Sequence, residues 1–86
     1  MIIGKVISRI VSTRKNESLT GSKFLVVEPL EKIGGSGFVA VDNVGAGIGE
    51  TVLVATGSAA RVGTGLCDSP VDAAIVGIVD DARGLE

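Results

Sequence analysis

The chain has 86 residues, 45% of them hydrophobic, with a formal net charge of −2 and a mean hydropathy of +0.52. That length allows one domain, residues 1–86, with a modest core that hides only about 60–65% of the unfolded chain's surface. With no His and a single Cys67, the sequence excludes Ser–His and Cys–His nucleophile pairs, imidazole metal sites and any disulfide framework.

From the N-terminus, Ile2–Val11 reads as a strand, because it is β-branched and roughly alternating. Ile2, Gly4, Val6 and Ile10 fall on one face, and Lys5 and Arg9 lie on the other with Ile3, Ile7 and Val11. Apolar groups on both faces predict two hydrophobic environments for this strand. The turn-rich stretch Ser12–Ser22 follows, then Lys23–Glu28 as the second strand. Pro29 ends it, since proline has no N–H for a ladder. Gly34–Gly37 reads as a flexible turn and Phe38–Asp42 as the third strand. The glycine-punctuated loop Val44–Gly49 leads into Glu50–Thr56, the fourth strand. Ser58 is suited to N-cap a single helical turn through Arg61. Gly63–Ser69 reads as loop, Pro70–Ala73 as a short turn and Ala74–Val79 as the last strand, with 81–86 a short C-terminal tail.

Five short strands, glycine-rich turns, one or two short helical turns and no long amphipathic helix predict an all-β fold, a small barrel. Closure suits such Val/Ile-rich strands, whose open edges would aggregate. Apolar surface beyond what this short chain buries predicts self-association. A membrane is the competing outlet, but runs such as Thr51–Thr56 and Ala73–Val79 fall well short of about 18 residues. Lys5 and Arg9 interrupt what a secretory signal would need as an uncharged segment, so a cytoplasmic product is expected. Charge is uneven. Residues 1–23 carry five basic side chains against Glu17, net +4, and the remainder carries three basic against nine acidic, net −6. Opposite poles suit head-to-tail contact between copies, and a solvated charged face is the plainer alternative.

The chemistry that remains is sparse. Asp68 beside Cys67 opposes thiolate formation. Asp68, Asp72, Asp80 and Asp81 match no cation-binding loop and read as a solvated acidic rim. Gly35-Ser36-Gly37-Phe38-Val39-Ala40 formally satisfies G-x-G-x-x-A, but a strand follows where a dinucleotide fingerprint needs a helix. Gly45-Ala46-Gly47-Ile48-Gly49 lacks the Lys and Ser/Thr of a phosphate loop. It reads as a tight turn open to close backbone approach, within the chain or against a neighbour. No catalytic residue, metal site or cofactor is therefore expected. An OB-like nucleic-acid-binding module is the rival reading, since its N-terminal basic set could meet phosphates. Phe24 and Phe38 are its only aromatics, few for base stacking.

Several segments resemble the EutN/CcmL family of bacterial microcompartment vertex proteins. They begin with Gly4-Lys5-Val6, Thr13-Arg14-Lys15 and Leu19-x-Gly21-x-Lys23-Phe24-Leu25. The stretch Ala40–Val54 is similar, almost position for position, to the family's A-V-D-x-V-G-A-G-x-G-E-x-V-L core. Gly57-Ser58-Ala59-Ala60-Arg61 resembles G-S-S-A-R, with Ala59 in place of the second Ser. Pro70–Ala74 and Gly77–Asp80 complete the set. The resemblance implies a five-stranded OB-like closed barrel that assembles into a homopentamer. It implies a non-enzymatic role at the fivefold vertices of a polyhedral, carboxysome-like shell in the cytoplasm. Hexamer-forming shell proteins are then the partners, with no nucleic acid and no membrane. On this reading Val44, Gly45, Ala46, Gly47, Ile48, Gly49, Glu50, Ser58 and Arg61 lie at the subunit interface or the fivefold axis. Glu50 and Arg61 are candidates for an ion pair or backbone clamp, across subunits or within one. Asp42 and Asp72 are candidates for capping neighbouring turns. Lys5, Arg9, Arg14 and Lys15 are candidates for facing the hexamers.

Overall fold

The β-branched N-terminal run forms strand β1, Ile2–Ile10, in a computed structural model that describes residues 1–11, 17–19, 21–64 and 71–85. The other elements are β2 (Lys23–Pro29), β3 (Phe38–Asp42), β4 (Thr51–Thr56), helix α1 (Ser58–Thr64) and β5 (Ala73–Ile78). A single 3-10 turn, Glu17–Leu19, precedes β2. The five strands close into a barrel in the order β1-β2-β3-β5-β4. Closure depends on the length of β1, which pairs antiparallel with β4 through Ile2–Lys5 and with β2 through Gly4–Ile10. On the far side β3 meets β5 in parallel, with Val41 opposite Ala74 and Asp42 opposite Ile75. The expected small all-β barrel is the fold observed.

Alternate residues of each strand point inward. Val6, Leu25, Val27, Val52, Val54 and Ile75 fill the barrel and are all below 2% exposed. Burying each such side chain contributes about 1.5–3 kcal/mol. Gly4 is the point of closest approach between β1 and β2. A Cβ there would stand 2.6 Å from Val27 Cγ1 and 2.8 Å from the Glu28 carbonyl oxygen, so no larger residue fits. A second, smaller cluster lies outside the barrel, where Ala60 of α1 packs on Val41, Val71 and Ala74 with Leu19 and Phe24 against them.

Three features depart from the sequence expectation. The β1–β2 ladder slips between Val6 and Ser8, leaving Ile7 as the extra residue of a β-bulge. The bulge reverses the expected alternation beyond it. Arg9 pairs with the core residue Leu25 and so takes the inward face at the barrel mouth, whereas Ile10 pairs with Phe24 and turns outward. Pro29 belongs to β2, opposite Gly4, because a missing donor is tolerated at a strand end. Pairing resumes just past it, where Leu30 N–H donates to the Ile3 carbonyl at 3.1 Å. Finally, α1 continues past Arg61 to Thr64. Ala60 anchors it by burial, and Asn43 Nδ2 donates to the Gly63 carbonyl at 3.1 Å, satisfying an acceptor that the last turn leaves open.

The expectations for Thr13, Arg14, Lys15, Cys67, Asp68 and Pro70 fall outside the described residues. The C-terminal residues 81–85 fold back on the β2–β3 connection, where Lys32 Nζ donates to the Gly84 carbonyl at 2.8 Å.

Candidate functional site

The connection from β3 to β4 is held by its own first and last carboxylates. Asp42 closes β3, and its side chain is only 4% exposed. Its Oδ1 accepts the amide hydrogens of Val44, Gly45 and Ala46 at 3.1, 3.2 and 3.2 Å, and its Oδ2 accepts that of Gly45 at 3.1 Å. Three successive N–H groups converging on one anion form a nest, a backbone arrangement that concentrates partial positive charge. It requires a left-handed residue within the turn, and Gly45 supplies it with φ +82°. Lys23 stands opposite Asp42 in the β2–β3 register. Its Nζ lies 3.6 Å from Asp42 Oδ2 and donates to the Ala46 carbonyl at 2.7 Å, so one ammonium ties both ends of the nest together.

The second half of the turn is tied to β1. Glu50 Oε1 accepts the Gly47 N–H at 2.7 Å. Gly49 N–H donates to the Val6 carbonyl at 2.8 Å, and Val6 N–H donates to the Glu50 carbonyl at 3.0 Å. Ala46 is fully buried in the barrel core between these two anchorages. What the turn presents outward is Val44 and Ile48, both exposed. The result is a stiff knuckle carrying two apolar side chains into solvent. A surface already held in one conformation loses little entropy when a partner covers it.

Ser58, Arg61 and Asp72 gather at the base of α1. Ser58 is exposed at the first helical position. Arg61 Nη1 donates to the Val71 carbonyl at 3.1 Å, binding the helix to the segment that enters β5. The Gly57 N–H donates to the Asp72 carbonyl at 2.7 Å, while the Asp72 side chain is exposed. Glu50 and Arg61 thus each clamp backbone of their own chain, in two different segments. Asn43 joins the two regions through its bond to Gly63, which sets exposed Val62 beside the knuckle.

Sequence reasoning gave no special place to Lys23 or Asn43. Their partners lie 23 and 20 residues away, beyond the reach of local pattern. Asp42 carried a usable signal, an Asx residue immediately before a glycine-rich turn. Of the acidic residues considered for a cation, Asp68 lies outside the described residues, and Asp72 and Asp80 sit at opposite ends of β5. Among the described residues no three His, Cys, Asp or Glu side chains are grouped to hold a metal ion. Strand β3, and no helix, follows Gly35-Ser36-Gly37.

The family described as "Ethanolamine utilisation protein EutN/carboxysome" matches residues 1–80, so the tail from 81 lies beyond the matched span. The bacterial microcompartment shell vertex protein GrpN of Rhodospirillum rubrum (strain F11) is 59% identical over 83 residues, 93% of each chain. A solved structure of the GrpN pentameric microcompartment shell protein from Rhodospirillum rubrum superposes with a TM-score of 0.83 at 56% identity, covering 94% of this chain and 95% of that one. The CcmL structure from Nostoc sp. PCC 7120 gives a TM-score of 0.89 at 44% identity, covering 99% and 95%. None of these relatives is described as an enzyme or a nucleic-acid binder.

Proposed function

The chain belongs to the EutN/CcmL family, and we propose that it is a structural, non-enzymatic subunit that assembles as a homopentamer and closes the fivefold vertices of a bacterial microcompartment shell in the cytoplasm. The observation that carries this reading is the likeness to GrpN, a pentameric shell protein sharing 56% of its residues over nearly the whole of both chains. The knuckle commits the Asp42 and Glu50 carboxylates, the Lys23 ammonium and backbone bonds to Val6 to holding one turn that displays Val44 and Ile48 to solvent. Such rigidity suits a surface that another molecule covers. We place Val44–Glu50 at the contact between subunits, with Ser58 and Arg61 supporting it from the α1 side.

A flat layer of hexamers cannot close on itself, and fivefold positions supply the missing curvature. Hexamer-forming shell proteins are the partners this reading requires. The test is to produce such a hexameric shell protein in cells with and without this chain and to image the assemblies. Closed polyhedra are expected only when the chain is present. Equal numbers of closed shells in its absence would contradict the reading.

A further inference from the structure

A ring of identical subunits needs two unlike faces on each copy, because head-to-tail contact joins one surface to a different one. The Val44–Glu50 knuckle offers only one of them. Specific interfaces hide about 800 Å² on each partner, so a subunit with two neighbours hides about 1,600 Å². The whole chain exposes 5205 Å², so the ring would cover nearly a third of it. One turn cannot provide that area. The contact must spread over the body of the barrel.

Among the described residues, one broad apolar face of the barrel has nothing packed on it. The outer side of β5 and the end of β3 lie under α1 and Leu19. Among the described residues, the outer side of β1, of β2 from Val26 onward and of the first half of β3 has no such cover, while Phe24 at the start of β2 packs against the α1 cluster. Register sets its rows: Ser8 beside Val26 beside Val39, with Ile10 at the margin, opposite the half-buried Phe24. The bulge adds Ile7 to the first row, and Ile7 and Val39 are 48% and 47% exposed. Without the bulge, Ile10 would point into the barrel and Arg9 would point out. The irregularity in β1 therefore makes this face apolar. Lys5 and Glu28 pair across the strands at its margin, giving an apolar centre with a charged rim, the usual anatomy of a protein contact.

We infer that the β1–β2–β3 face of one copy receives the knuckle of the next, with Ile48 and Val62 seated over Ile7, Val26 and Val39. Ile48 and Val62 are the matching projections, 67% and 72% exposed on adjoining segments. This pairing rests on the pentamer reading above, and it names the two faces that the reading leaves open.

The test uses Val39→Lys, which blocks the receiving face, and Ile48→Lys, which blocks the knuckle. Both positions are exposed, so each variant is expected to keep the native circular dichroism spectrum. The near-isosteric Val39→Thr serves as a milder probe of the same face if Lys disturbs the strand. Native mass spectrometry of wild type first establishes the ring, and its absence there would count against the pentamer reading itself. Each Lys variant alone is expected to lose the ring, with every subunit contact weakened by at least about tenfold. Mixing the two should restore a single good contact, because the intact knuckle of one meets the intact face of the other. A 1:1 dimer that grows no further is the expected species. A Val39→Lys protein that still forms the wild-type ring would overturn the inference, as would a mixture of two monomeric variants that never pairs.

Discussion

Asp42→Ala is expected to lower the stability of the folded chain by about 2–3 kcal/mol and to weaken the ring with it. The substitution removes the acceptor of four amide contacts, from Val44, Gly45 and Ala46. Water can re-solvate the exposed N–H groups of Val44 and Gly45, so their loss costs little. The Ala46 amide is partly buried and has no such replacement. Lys23 also loses its ion partner, although it keeps the Ala46 carbonyl at 2.7 Å. Without the nest, the left-handed turn at Gly45 has nothing to hold it, and Val44 and Ile48 no longer keep one orientation. Asp42→Asn should fall between the two, since one oxygen still accepts but the charge is gone. Denaturant unfolding at matched concentration reads the stability, and native mass spectrometry reads the ring. An Asp42→Ala protein within 0.5 kcal/mol of wild type (about the scatter of neutral surface changes) would show that the nest contributes nothing.

Leu25→Ala should have an effect at least as large through a different route. Leu25 is 1% exposed in the centre of the barrel, and truncating a buried leucine costs about 2–5 kcal/mol. A chain of this length holds only about 4–13 kcal/mol in total. The variant is thus expected to melt roughly 10–40 °C lower. Its folded state would then depend on assembly, because binding that selects the folded form stabilises it by mass action. The melting temperature of Leu25→Ala should accordingly rise with protein concentration, more visibly than that of wild type. A large drop with no concentration dependence would separate the fold from the ring and count against assembly as a source of stability.

Much of the barrel was legible because its strands are short and strongly β-branched. The boundaries of β3 follow directly from the glycine turn before Phe38 and the Asx turn after Asp42. The β1 bulge was not legible. Ile3, Ile7 and Val11 alternate as regularly as Ile2, Val6 and Ile10, so nothing local marks where the register slips. Only the pairing with β2, which sets Val6 opposite Val27 and Ser8 opposite Val26, reveals it. The extent of α1 was hidden for a related reason. Its last turn is held by Asn43 and by packing on the residues around β5, contacts made far away in sequence. For the candidate site, the glycine turn pointed to close packing and away from phosphate binding. The structure adds what fixes it, two carboxylates and a lysine, each acting on backbone. Neither composition nor periodicity carries the number five, which enters through resemblance to a family and through a pentameric relative.

Native mass spectrometry of the purified wild-type chain, repeated over a range of salt concentrations, tests the central claim most directly. A dominant species of five times the chain mass that persists as salt rises is the predicted result, since the contact is mainly apolar. A monomer or dimer at every condition would contradict it.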